Sequence, residues 1–243
     1  MIDEAVQSML DGFVASVRDI APVEAVWLHG SLALGDFQAG RSDLDVVAVV
    51  TAPPPPEVAD LHKRLIAAEP LAEKLHCSYM VADQLADPSI RHATFAQGRY
   101  FDRPVTAVTR RELALSNTSL LGPPPMSLLP AISDAELADF VRHDLREFWF
   151  PVTAKRPPWY LDVWVDLGLL TLARAHVTLT TGELITKRAA LDVLPTLGAP
   201  AAVVRDIARR RYGPAQRANP FWRHRRAVLS QQFLQSAIPA VLS

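Results

Sequence analysis

Apolar residues recur with helical spacing at the start of the chain. Ile2, Val6, Met9, Leu10, Phe13, Val14 and Val17 predict a helix over residues 2–19. The period then changes: residues 25–28 and 46–50 are short apolar runs, and the segment between them begins with a Gly-Ser turn, which predicts strand, turn, short helix and strand. The prolines of 53–56 form a rigid break, and Leu61, Leu65 and Ile66 mark the buried stripe of a helix at about 57–68. Residues 74–82 alternate as a third strand, with Leu75, Cys77, Tyr79 and Val81 on one face and His76, Ser78, Met80 and Ala82 on the other. The stretch 83–104, punctuated by Asp87-Pro88, Gly98 and Arg103-Pro104, reads as an irregular connection. Residues 105–109 fit an edge strand, Thr109-Arg110-Arg111-Glu112 has the form of a capping box opening a short helix, and 119–123 form a last short strand.

Beyond residue 122 the pattern is no longer that of a sheet. Gly122-Pro123-Pro124-Pro125 and the segment up to 132 read as a linker, and Ser133-x-x-Glu136 is a capping box for a helix through about Phe150. Residues 158–180 are apolar on most sides, as expected of a central bundle helix, and stop at Thr181-Gly182. Helices at about 187–194, 200–212 and 220–238 complete a bundle, the last ending near Pro239. The chain is therefore α+β, with a sheet domain over 1–122, a linker over 123–132 and a helical domain over 133–243.

With 49% hydrophobic residues in 243, the chain has ample material for a core. Lys and Arg number 25 against 26 Asp and Glu, a formal charge of −1, which argues against a general nucleic-acid binder and for a small-molecule partner. Arginines 205, 209, 210, 211, 217, 223, 225 and 226, with Phe221 and Trp222 among them, are read as a solvated or acid-paired helix face rather than a phosphate-binding surface. No apolar run approaches the roughly 20 residues that cross a bilayer, and the N-terminus lacks the basic residues of a signal peptide, so a cytoplasmic location is expected. A single cysteine, Cys77, fits that compartment and reads as a core residue.

The chemistry concentrates in residues 29–45, HGSLALGDFQAGRSDLD. Gly30 lets the backbone approach a ligand closely, and the N–H groups after Ser31 suit a phosphate. Asp43 and Asp45, two residues apart at a strand, project to one side roughly 7 Å apart along the backbone. A phosphate-binding turn beside two carboxylates able to share divalent ions describes a site for a nucleoside triphosphate and for phosphoryl or nucleotidyl transfer.

Gly30-Ser31, Gly35 and Ser42-Asp43-x-Asp45 followed by a β-rich run resemble the signature of the DNA polymerase beta-type nucleotidyltransferase superfamily. The resemblance implies a mixed-sheet domain with flanking helices. It makes Asp43 and Asp45 ligands of Mg2+, and Gly30, Ser31 and Ser42 contacts of the triphosphate. The second half is similar to the helical domain of the streptomycin and spectinomycin adenylyltransferases. That similarity is carried by Leu170-Thr171-Leu172-Ala173-Arg174, by 181–187, TGELITK, by Leu194-Pro195, and by the junction Leu121-Gly122-Pro123. It implies ATP as donor, Arg174 and Lys187 on its phosphates, and an aminoglycoside-like antibiotic among the hydroxylated acceptors.

The third strand departs from that pattern. Superfamily members supply a third acid there as catalytic base, whereas this chain has His76-Cys77-Ser78. Glu69, Glu73 and Asp83 flank the strand without a spacing that selects one, and His76 is itself able to take a proton from a hydroxyl. Asp162 and Asp166 share a helix face and do not match the family's acceptor-binding acids, and Trp159, Tyr160 and Trp164 read mainly as core. The leading expectation is AMP transfer from ATP to a small hydroxylated acceptor. The alternatives are a protein AMPylating enzyme, a nucleotide-binding regulator without the third acid, and a nucleic-acid module built on the arginines.

Overall fold

The first apolar period forms α1 (Glu4–Arg18), whose N-terminus is capped by the Asp3 carboxylate accepting from Ala5 N–H, in a computed structural model that describes residues 3–214 and 219–243. Ile2 and Arg217 lie outside those residues. Next come β1 (Val23–His29), the one-turn α2 (Gly30–Ala33), β2 (Leu44–Val50), α3 (Glu57–Ala68) and β3 (Leu75–Val81). After β3 the expected irregular connection is instead a hairpin of β4 (Arg91–Ala96) and β5 (Arg99–Pro104). Its two-residue loop, Gln97-Gly98, has positive φ at both positions, the geometry that matches the twist of paired strands. Residues 105–109 are not an edge strand: Val105 is buried and α4 (Ala107–Ser116) starts with Thr106 as its cap, accepting from Thr109 N–H. Glu112 is therefore an interior residue of α4 rather than the reciprocal partner in a capping box. β6 (Thr118–Leu121) and α5 (Pro125–Leu128) follow.

The sheet runs β5-β4-β3-β2-β1-β6 and is mixed: β2 and β3 are parallel, with α3 in the crossover, and the other neighbours are antiparallel. Alternation sorts the strands onto two faces. Val26, Leu28, Leu44, Val46, Ala48, Val50, Leu75, Cys77 and Tyr79 pack with α1 and α3. Ala25, Trp27, Val47, Val49 and Met80 pack with Leu85, Val105, Leu113 of α4 and Leu129. Trp27 Nε1 donates to Pro123 O at 2.8 Å, and Pro125 and Leu129 are buried, so the segment 123–132 packs within the sheet domain. The chain forms two compact units, Met1–Ile132 and Ser133–Ser243.

The second unit is helical. α6 (Asp134–Asp144) opens with the expected capping box between Ser133 and Glu136, widens into a π-turn over Leu145–Trp149, and continues as α7 (Phe150–Thr153). A 3-10 turn, Pro157–Tyr160, precedes α8 (Asp162–Thr181), which Gly182 ends at φ +76°. Then come α9 (Lys187–Val193), α10 (Ala201–Tyr212) and α11 (Pro220–Leu242). α11 continues past Pro239, whose carbonyl accepts from Ser243 N–H. Trp159 is fully buried against Gly168, where a Cβ would collide with its ring.

A charged network ties α8, α10 and α11 together. Arg226, 0% exposed, binds Asp162 at 2.5 Å and Asp206 at 3.1 Å; Arg210 binds Asp166 at 2.6 Å and Asp206 at 3.0 Å; and Trp222 Nε1 donates to Asp206. Burial raises Asp166 to about 6 against the pull of Arg210 and Arg211.

Candidate active site

The face of the sheet that carries Trp27, Val47 and Met80 turns polar toward one end of the strands. Two residues on from Trp27 stands His29, two before Val47 stands Asp45, and four before Met80 stands His76. The register makes these three neighbours: His29 pairs with Asp45 across antiparallel β1–β2, and Asp45 pairs with His76 across parallel β2–β3. Directly opposed residues share a face, so an imidazole, a carboxylate and an imidazole stand side by side.

Further groups extend the row at both ends. His76 Nδ1 lies 3.5 Å from Asp45 Oδ1, and its Nε2 lies 4.0 Å from Oδ1 of Asp43, the residue just before β2. Lys74 Nζ lies 3.8 Å from the same Asp43 oxygen. At the other end Glu112, from α4, places Oε2 3.3 Å from His29 Nδ1. His29, His76 and Glu112 are buried, whereas the side chains of Asp43 and Asp45 are 42% and 26% exposed. The two acids thus reach solvent beside Lys74 and the two imidazoles, where their oxygens are open to a cation.

Gly30 begins α2 beside them. Its φ is +69°, and a Cβ there would fall on the Asp45 carboxylate, so both the turn and the close approach require glycine. Ser31 anchors the turn through its carbonyl, which accepts from Asp36 N–H at 2.8 Å. Ser42 is buried, and its Oγ accepts from Gln38 N–H at 3.0 Å, closing the loop that leads into Asp43. Arg174 and Lys187 belong to the second unit: Arg174 Nε donates to Ile185 O at 2.9 Å, and Lys187 opens α9 after its cap, Thr186. The two cations are thereby joined to one short loop.

Among the described residues, no acid from β3 or its flanks joins the row. Glu69 caps the turn before β3 by accepting from Leu71 N–H, while Glu73 and Asp83 are exposed. Cys77 is a core residue, fully buried with its thiol pushed up to about 12 by burial. His92 is buried on β4, and Arg99, Tyr100 and Asp102 are exposed on β5. Among the described residues no group of three or more His, Cys, Asp or Glu side chains forms a metal cage, and the solvent-accessible carboxylates of the row are Asp43 and Asp45. Sequence reasoning missed His29, Lys74 and Glu112. His29 was visible as the residue before the turn, but nothing local joined it to Glu112, 83 positions away.

Residues 10–100 match the family model described as nucleotidyltransferase domain. That stretch is thus similar to a nucleotidyltransferase domain, and it lies in an α+β architecture with a six-stranded mixed sheet. The fold of the chain is that of the spectinomycin adenyltransferase AAD(9) from Enterococcus faecialis, solved with ATP and spectinomycin, at a TM-score of 0.69 and 15% identity over 97% of each chain. A structure of E. coli MS115-1 CdnC with ATP matches at a TM-score of 0.26 and 13% identity, over 96% of this chain and 89% of that one. No curated protein matches the sequence. No helix among the described residues is long and apolar enough to cross a membrane.

Proposed function

We propose that the protein transfers AMP from ATP to a hydroxyl of a small-molecule acceptor, with Mg2+ held by Asp43 and Asp45. The observation that carries the reading is the convergence of both carboxylates on His76 beside the Gly30 turn. Two carboxylates fit this ion, because Mg2+ takes one or two protein oxygens and completes its shell with phosphate oxygens and water. Bound there, Mg2+ would offset the charge that develops on the phosphates.

The chain's own groups account for the rest. The backbone N–H groups at Gly30 and Ser31 bind phosphate oxygens. Ser42 supports them by fixing the loop before Asp43. The acceptor oxygen forms a bond to the α-phosphorus as the bond to pyrophosphate breaks, and His76 takes the hydroxyl proton. The resemblance of the helical half to the adenylyltransferases implies that Arg174 and Lys187 bind the triphosphate as well. The acceptor need not be a polycation: Asp162 and Asp166, the acids on the first turns of α8, are paired with Arg226 and Arg210. The same pairing leaves fewer arginines for nucleic acid, which favours a small acceptor.

The decisive experiment is a pyrophosphate-release screen with Mg-ATP against aminoglycosides, spectinomycin and other hydroxylated metabolites. Acceptor-dependent release with a product heavier by AMP supports the reading. A second reading, a nucleotide-binding regulator, is favoured by the histidine in place of a third acid; Mg-ATP binding without release for any acceptor would select it.

A further inference from the structure

Glu112 is a carboxylate that the transfer reaction has not used. It lies in the middle of α4, with most of its surface removed from water, and a carboxylate so placed needs a polar partner. One partner is His29 Nδ1 at 3.3 Å. The same helix touches the neighbouring residue, since Ser116 Oγ donates to Leu28 O at 3.1 Å. α4 therefore grips the last two residues of β1, immediately before the backbone turns at Gly30.

His29 occupies the cap position of α2, yet its side chain caps nothing there. Its ring is turned to Glu112 instead, while its backbone is paired with that of Asp45. An imidazole whose Nδ1 is bound to a carboxylate keeps a proton on that nitrogen and a fixed ring plane, and this leaves Nε2 as the nitrogen that a ligand can meet.

We propose that Glu112 is a positioning residue of the nucleotide site, acting through His29 to fix the Gly30–Ser31 turn and the flank of Asp45. The inference rests on the reading of Asp43 and Asp45 as a Mg-nucleotide site. Carboxylates that orient a metal-ligating histidine contribute about 10–100-fold to metal affinity or activity, and a loss of the same order is expected for a histidine held beside the metal ligand Asp45.

The test is calorimetry on the full chain with ATP and Mg2+ as the probe. Glu112→Ala should weaken binding by about 10–100-fold. Glu112→Gln keeps an oxygen for Nδ1–H and loses the charge, so it should fall between that variant and wild type. His29→Ala combined with Glu112→Ala should bind no more weakly than His29→Ala alone, because the carboxylate acts only through the ring. A packing role would instead lower the melting temperature while leaving the affinity of the folded protein unchanged. Wild-type affinity in Glu112→Ala, or additive losses in the double variant, overturns the inference and leaves the nucleotide site standing. Should the alanine variant fail to fold, Glu112→Gln decides, and wild-type affinity in it overturns the inference. A wild-type protein that does not bind Mg-ATP overturns both.

Discussion

His76 and Asp45 are direct partners across the parallel strand pair of the sheet, and their side chains meet with Nδ1 3.5 Å from Oδ1. A general base contributes roughly 10²–10⁴-fold to a proton transfer. His76→Ala should therefore lower pyrophosphate release by about that factor while leaving the affinity for Mg-ATP within a few-fold. His76→Glu, which places a carboxylate beside Asp45, should recover part of the rate. Loss of nucleotide binding in His76→Ala would make the ring a ligand of the metal site instead.

Asp43 and Asp45 differ from their neighbours in being open to solvent, so neutralising them leaves no buried charge unpaired. Metal stabilisation of a transferring phosphoryl group amounts to several kcal/mol, and about 4 kcal/mol corresponds to roughly 10³-fold in rate. Asp43→Asn and Asp45→Asn should each reduce turnover by at least that order with an unchanged melting temperature. Wild-type turnover in both would remove them from the metal site.

How far the sequence reaches can be judged at particular residues. The period of α1, the alternation of β3, the Ser133–Glu136 box and the Gly182 stop are local signals, and each forms where its pattern places it. The β4–β5 hairpin escapes because Gln97 supplies a positive φ that glycine or asparagine would have announced. The cap of α4 is misplaced by three residues because Thr106 and Thr109 are both able to serve, and what selects Thr106 is the burial of Val105 and Ala107. In the candidate site, the closeness of Asp43, Asp45 and Gly30 is legible because they sit within one short stretch. His76 becomes a neighbour of Asp45 only through the β2–β3 register, and Glu112 reaches His29 only through the packing of α4.

Gly30 gives a prediction that separates backbone from metal chemistry. Alanine at φ +69° costs about 1–2 kcal/mol, and its Cβ would push the Asp45 carboxylate aside. Gly30→Ala should lower the melting temperature by a few degrees and abolish Mg-ATP binding in the protein that remains folded. Retained binding would mean that the turn does not approach the phosphates.

In the second unit, Arg226 is a fully buried cation between Asp162 and Asp206. Removing one partner of a buried ion pair costs about 3–5 kcal/mol, and the low end applies because Asp162 is 44% exposed. Arg226→Ala should lower the unfolding free energy by about that much in urea, whereas Arg223→Ala and Arg225→Ala, on exposed side chains, should change it little. Equal effects at all three positions would count against the network as the tie between α8, α10 and α11.

His62 makes stability depend on pH from inside the first unit. Its ring is stacked on Phe95 at 4.1 Å and shares a 2.8 Å hydrogen bond with the Tyr79 hydroxyl, and burial lowers its pKa from 6.5 to about 4. Between those values the unfolded chain binds a proton that the folded chain refuses, so unfolding is favoured as pH falls. The stability contributed by neutral His62 is intact above pH 6.5 and lost progressively toward pH 4, to an extent on the order of 3 kcal/mol. Melting curves of the wild type should therefore fall across that window more steeply than those of His62→Phe, which replaces the titrating ring with an aromatic ring of similar size. Parallel pH profiles in the two proteins would show that the buried imidazole does not carry the dependence.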